Sequence, residues 1–223
     1  MPRNTRTAAS ETSATAPAAR PYHHGDLAAA LKQAAVALIA RNGVEGFSLR
    51  EAALAVGVSP SAAYRHYADK GALLAAVAGD ALADMGRRFD DAMRAVPGGG
   101  KRAARARFLA QGRAYVDFAL EHPARFTVMF GPHGAGARGQ PMACAGAKVD
   151  GPFAALSRVL DELRDEGLID ARRREGAELL AWSAIHGLAG LLVSRSLAAG
   201  VFETHELVDR IGAECLRAWA PPG

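Results

Sequence analysis

The sequence predicts an all-α chain: a small N-terminal three-helix unit, a connecting helix, and a larger helical region behind it. Three observations point there. Residues 48–70, SLREAALAVGVSPSAAYRHYADK, hold two short helical patterns separated by a glycine. Leu74, Val77, Ala81, Met85, Phe89 and Met93 then recur at spacings of three and four, the period of one buried helix face. Lastly, AELLAWSAIHGLAGLLVSRSL is apolar around nearly its whole girth from Leu179 to Val193, so it needs cover on two sides.

Taken in order, residues 1–21 are rich in Ala, Thr, Ser and Pro and contain no apolar run. They read as a disordered tail, neither a signal peptide nor a membrane anchor. Residues 26–41 read as an amphipathic helix with Leu27, Leu31, Ala34 and Leu38 on one stripe, ended by Asn42 and Gly43. This helix braces the two that follow. Just before it, His23 and His24 form a doublet with no acidic or cysteine partner at ligand spacing. No metal is expected there, and helix capping or phosphate contact is the expected use.

Ser48 and Glu51 form S-x-x-E, a capping box that starts a helix at about Leu49. Leu49, Ala52, Ala53 and Val56 make its apolar stripe, with Arg50 and Glu51 outside. Gly57 ends the helix, because a residue without Cβ takes the left-handed turn that drops Val58 into the core. Ser59 and Pro60 restart the chain as cap and first helical residue. The second helix turns Ala63 and Tyr67 inward and leaves Ser61, Ala62, Tyr64, Arg65 and His66 mostly outward.

The connecting helix is expected over 69–96, stopped by Pro97 and three glycines. Further helices are expected over 102–121, 123–130, 151–166, 172–197 and 204–219. The basic run Lys101, Arg102, Arg105 and Arg107 opens the first of them, while Phe108, Tyr115, Phe118 and Leu120 on the same helix call for burial. The run therefore reads as a solvated end. Residues 131–150 form a glycine-rich loop of unusual length, either merely mobile or a lid beside a pocket.

Gly187 and Gly190, with Ala184 and Ala189, permit close helix approach and suit pairing with a second copy of the chain. Leu207, Ile211 and Leu216 are expected to complete a four-helix seam, giving a homodimer through 172–197 and 204–219. Trp182 and His186, four apart, share a helix face. With Phe126, Met129 and Phe130 they form a candidate ligand pocket, one polar group among apolar walls. The alternative is a core histidine bonded to a backbone carbonyl.

Composition sets the outer bounds. The 223 residues are 50% hydrophobic and 22% charged, enough for one or two domains with real cores. A net charge of +4 and a pI near 9.4 are compatible with a polyanionic partner. Two cysteines, Cys144 and Cys215, are too few and too far apart for a disulfide framework or zinc cluster. That usage points to a reducing, cytoplasmic setting. No stretch reaches the ~18 uninterrupted apolar residues of a transmembrane helix. Ser183 and His186 stand three apart, but no acid lies at a helpful spacing and no G-x-S-x-G elbow or phosphate loop occurs. Neither an enzyme nor a cofactor is expected.

The run GVSPSAAYRHYADKGALL, preceded by YHHGDL and LKQAAVALIARNGVEGFSLREAALAVGVS, resembles the tetracycline-repressor (TetR) family of bacterial transcription regulators over 24–80. Trp182, His186 and Gly187, following FTVMFGP, resemble the C-terminal domain of one TetR subgroup named for its Trp, His and Gly. The resemblance implies a helix-turn-helix DNA-binding domain over 22–80, a connecting helix running to about 96, and a ligand-binding and dimerisation domain over 97–223. It implies that Tyr64, His66 and Lys70 hold phosphates, that Ser61, Ala62 and Arg65 lie nearest the bases, and that Ser48, Arg50 and Ser59 complete the DNA-binding set. The implied partners are a double-stranded operator, a small-molecule effector and a second copy of the chain. The implied action is repression relieved by the effector, on an inverted repeat with half-sites roughly 34–36 Å apart.

One departure is that Gly71 stands where the family often has glutamate, so the helix after Asp69 lacks a capping box and is expected to start loosely. Arg3, Arg6 and Arg20 give the tail a second reading, as a basic arm along DNA. The alternative function is a small-molecule-binding helical dimer that acts through a protein partner without sequence-specific DNA binding.

Overall fold

Local caps set where the first helices begin. The computed structural model describes residues 24–131, 151–197 and 203–222. Helix α1 (His24–Asn42) ends where Gly43 turns to φ 73°. Helix α2 (Leu49–Val56) starts at Ser48, whose Oγ accepts the Glu51 N–H at 3.2 Å. The Glu51 carboxylate accepts from Ser48 Oγ at 2.8 Å, so the pair closes side chain to side chain. Gly57, at φ 79°, ends α2. Helix α3 (Pro60–His66) starts at Ser59, whose Oγ accepts the Ala62 N–H at 3.3 Å.

Helix α4 (Lys70–Arg94) has 25 residues and spans about 37 Å at 1.5 Å per residue. Its start is not loose. The Asp69 carboxylate accepts the Ala72 N–H at 2.7 Å, so a single aspartate supplies the cap that Gly71 cannot.

Leu27, Leu31, Ala35, Leu38 and Ile39 of α1 enclose a first core with Phe47, Leu49, Ala52, Ala53, Ala63, Leu73, Leu74 and Val77. Tyr67 is tied into it through its hydroxyl, which donates to the Ala28 carbonyl at 3.2 Å. Ala34, expected on the stripe, only packs against it from the side.

Behind α4 follow α5 (Gly100–Glu121), α6 (Pro123–Phe130), α7 (Pro152–Asp165), α8 (Ala177–Val193) and α9 (Thr204–Trp219). Among the described residues there is no strand. Two expectations for α5 change. Arg107 is not a solvated cation: it donates to the carbonyls of Val96 and Gly98 and pairs with Glu162, clamping the α4–α5 turn to α7. Leu120 is 43% exposed, because it lies on the face away from Tyr115, Phe118 and Ala119, which fill the core. Helix α8 also begins later than expected. Residues Ala171–Arg173 form a 3-10 turn, and Gly176, at φ 77°, precedes the helix proper.

Of the small residues expected to face a partner from α8, Gly187 is exposed and Ala184 and Gly190 are half-buried, but Ala189 is fully buried. Leu188 is 7% exposed and packs with Ala189 into its own core. Leu179, Leu180 and Leu191 are the leucines left exposed. On α9, Leu216 is buried while Leu207 and Ile211 pack inward, and His205, Glu206, Arg210, Glu214 and Arg217 face out. The apolar stripe of α9 packs toward its own domain, with Leu216 buried and Leu207 and Ile211 half-buried. No described helix is long and apolar enough to cross a membrane.

Candidate functional site

Two features stand apart from the packed core: an outward helix at the N-terminal end and a cleft at the other. The first follows from α3 burying only Ala63 along its seven residues. Ser61, Tyr64 and Arg65 are exposed, Tyr64 by 52%, while Ala62 and His66 are half-buried. On α2, Arg50 is exposed. The hydroxyls of Ser48 and Ser59 are engaged at the two helix starts, and Ser59 also shares a hydrogen bond with Ser61 at 3.0 Å. Lys70 lies over the Phe47 ring, 5.6 Å from its centre, which fixes its stem at the first turn of α4. A short, small-residue helix with cations at its edges has the shape and charge to enter a DNA groove.

The second feature arises where three helices turn their 3.6-period faces to one another. Phe108, Gln111, Gly112 and Tyr115 of α5 meet Ala181, Trp182 and Ile185 of α8 and Val208, Ile211, Gly212 and Cys215 of α9. The cavity between these walls is about 50 Å³ and opens to solvent. Phe89 of α4 and Leu156 of α7 close it. Two glycines set the helix spacing: a Cβ on Gly112 would stand 3.1 Å from Val208, and one on Gly212 would stand 2.4 Å from Leu109. No Asp, Glu, Lys, Arg or His lines the cleft among the described residues. Burial pushes the Cys215 thiol up, so it remains protonated.

Of the five residues expected to form a pocket, Trp182 lines this cleft. Phe126, Met129, Phe130 and His186 lie elsewhere, in an aromatic cluster behind Tyr115. His186 Nδ1 and Tyr115 Oη share a hydrogen bond of 2.8 Å. The His186 ring lies edge-to-face with Phe130 at 4.5 Å and tilted against Phe126 at 5.4 Å. Its partner is thus a phenol and not a backbone carbonyl. Burial lowers the His186 pKa and raises that of Tyr115, so both are neutral at pH 7. Tyr115 is a wall between cleft and cluster, T-shaped to Trp182 at 5.6 Å and to Phe126 at 5.9 Å.

Sequence reasoning missed the α5 and α9 walls. A signal was present: Gln111 and Gly112 interrupt an otherwise apolar face between Phe108 and Tyr115.

The cluster also reaches the N-terminal core. Phe126 and Met129 of α6 pack with Tyr115, whereas the adjacent Val128 is buried among the residues of the first core. Arg125 pairs with Asp84 of α4 at 3.0 Å and lies with Arg88 over the Phe118 ring, each 5.5 Å from its centre. Burial would raise the Asp84 carboxyl, but Arg125, Arg88 and Arg87 outweigh it and hold it below the ordinary carboxylate range. Helices α4, α5 and α6 are therefore locked by charge as well as by packing.

Among the described residues no group of three or more His, Cys, Asp or Glu could hold a metal ion. His23, the side chain of His24, the N-terminal tail, and residues 132–150 with Cys144 lie outside the described residues.

Comparison with known proteins agrees with this architecture. Residues 31–77 match the model of the bacterial regulatory proteins of the tetR family, and residues 108–214 match that of the tetracyclin repressor-like C-terminal domain. No curated protein matches the chain. Among solved structures, a protein of unknown function from Rhodococcus sp. RHA1 is 29% identical, with 91% of this chain and 100% of that one covered and a TM-score of 0.70. A bacterial regulatory protein in the tetR family from Rhodococcus RHA1 is 20% identical over 88% of this chain and 98% of its own, with a TM-score of 0.62. The SmeT–triclosan complex shares the fold at 14% identity, covering 89% of this chain and 93% of that one, with a TM-score of 0.61. With both halves matched by the family's own models, this chain belongs to the TetR family and is a helix-turn-helix transcription regulator, not an enzyme.

Proposed function

We propose that the protein is a cytoplasmic repressor that binds an inverted-repeat operator as a homodimer and leaves it when a small molecule occupies the cleft. The carrying observation is the position of Tyr115, which lines the cleft on one side and bonds His186 in the α6 cluster on the other. A ligand pressing on Phe89 and Tyr115 acts on α4 and α6 at once. Helix α4 begins directly after α3, and α6 places Val128 in the first core. Movement in the cleft thereby changes how α3 is held. That SmeT, of the same fold, is known as a triclosan complex favours a small-molecule reading.

In this reading α3 enters the major groove. Ser61, Ala62 and Arg65 face base edges, Tyr64, His66, Lys70 and Arg50 hold phosphates, and Ser48 and Ser59 fix the helix starts. Two copies joined through the outward face of α8, where Leu180, Ser183, Gly187 and Leu191 follow one another at spacings of three and four, set the separation of the recognition helices. The 22–80 and 97–223 divisions are then the DNA-binding and the ligand-binding and dimerisation domains.

The operator fixes that separation, so a displaced pair loses affinity. Moving the population from 1:99 to 99:1 needs ~5.5 kcal/mol of differential binding. At about 25 cal/mol per Å² that corresponds to roughly 220 Å² of apolar surface buried only in the released state, within reach of a small apolar ligand in an aromatic cleft.

The test is a pair of titrations on compounds that raise the melting temperature of the wild type but not of Ile211→Trp, in which the added ring fills the cleft. Such compounds are expected to weaken DNA binding of the wild type in fluorescence anisotropy and to leave Ile211→Trp unaffected. DNA affinity that ignores every such compound rejects release by ligand.

A further inference from the structure

One polar side chain of the cleft wall, Gln111, has an oxygen that the fold leaves without a partner among the described residues. Gln111 is 2% exposed and is the sole buried polar residue in the core among the described residues. Its Oε1 finds no hydrogen-bond partner among them. Its Nε2 lies 3.8 Å from Met93 Sδ, a weak acceptor. This orientation is the better of the two. A thioether accepts but cannot donate, so turning the amide over would set oxygen against sulfur and strand two N–H groups. The unpaired group is therefore a buried acceptor in the wall of the cleft.

The walls around it narrow the chemistry. No ionisable acid or base other than the Tyr115 phenol and the Cys215 thiol lines the cleft among the described residues. The phenol already shares its hydroxyl with His186. A charged ligand would lose its hydration with no countercharge to replace it. Phe89, Phe108, Tyr115 and Trp182 offer aromatic faces to a flat apolar body.

We propose that the cleft takes a neutral, mostly apolar, aromatic-sized molecule carrying one hydroxyl or N–H group, which donates a hydrogen bond to Gln111 Oε1. The proposal rests on the reading of the cleft as the effector site and adds the ligand's class to it. It also accounts for Gln111 itself: a buried amide left unpaired destabilises the empty protein, and a donor from the ligand removes that cost only when the cleft is filled.

Calorimetric titration of the full-length protein with 4-pentylphenol and its methyl ether, 4-pentylanisole, separates the possibilities, because methylation removes the donor and the effect of the added methyl is read separately in Gln111→Met. The wild type is expected to bind the phenol about tenfold tighter or more. In Gln111→Met the preference is expected to fall below about threefold while ether binding persists, and the empty variant is expected to melt no lower than the wild type. Equal affinities in the wild type, a preference that survives in Gln111→Met, or a Gln111→Met variant that melts well below the wild type would each overturn the pairing and leave the cleft assignment standing. Failure of both probes to bind the wild type, or undiminished binding of both to Ile211→Trp, would overturn the cleft assignment and this inference with it.

Discussion

Tyr115 Oη and His186 Nδ1 lie 2.8 Å apart, and that hydrogen bond joins the wall of the cleft to the helix that reaches the N-terminal core. Its acid sensitivity can be foreseen. Burial lowers the His186 pKa in the folded chain, while the unfolded chain titrates near ~6.5. Above that value both states are neutral and the group contributes no pH dependence. As pH falls through the window between the unfolded and the folded pKa, the unfolded chain takes the proton first, so stability is lost with acid. Thermal melts between about pH 7.5 and about pH 5 are expected to show a smaller acid-induced fall in His186→Asn than in the wild type. Equal falls would show that His186 is not held neutral by the fold.

Arg65 is the exposed cation on α3. Arg65→Ala is expected to relax base preference at one operator position and to cost about 1–3 kcal/mol if that position is a guanine. Selection of binding sites from random duplexes reads this directly, and an unchanged consensus would remove Arg65 from base reading.

Lys70 sits at the first turn of α4, steadied over Phe47. Lys70→Ala is expected to weaken binding about equally on every sequence and to reduce the magnitude of the salt slope by about 1, as loss of one phosphate contact requires. An unaltered slope would place Lys70 off the DNA.

The two faces of α8 are expected to respond differently. Leu180→Glu with Leu191→Glu, both on the exposed side, should give folded monomers in sedimentation. Leu188→Asp should instead unfold the protomer, because Leu188 is 7% exposed and packed into its own core, and an unpaired buried charge is among the most destabilising substitutions. An intact dimer in the double variant would move the interface elsewhere.

The helices of the N-terminal end were legible because their ends are local chemistry. Ser48, Gly57, Ser59 and Pro60 each act on backbone within four residues, and the observed bounds Leu49–Val56 and Pro60–His66 follow from them. Asp69 acts the same way: its carboxylate caps α4 by itself, whether or not glutamate stands at the position of Gly71. The start of α8 was harder, since an apolar pattern does not reveal the left-handed Gly176 that separates a 3-10 turn from the helix. The inward side of α8 and α9 was hardest. Leu188, Ile211 and Leu216 have the same composition whether they face a partner or their own domain, and only the meeting of α5, α8 and α9 decides it. The cleft is a property of that meeting, which is why Trp182 was foreseen as a wall residue while Gln111, Val208 and Gly212 were not.

Helix α3, held by the first core and presented by a pair of chains, is expected to read a defined DNA sequence. Selection of genomic fragments by the purified protein at low salt, followed by footprinting, tests it most directly. Enrichment of an inverted repeat whose half-sites lie roughly 34–36 Å apart or a multiple of that is expected, with weaker protection in Arg65→Ala. Recovery of fragments with no shared sequence, bound only through charge, would contradict it and would favour a helical ligand-binding dimer that works through a protein partner.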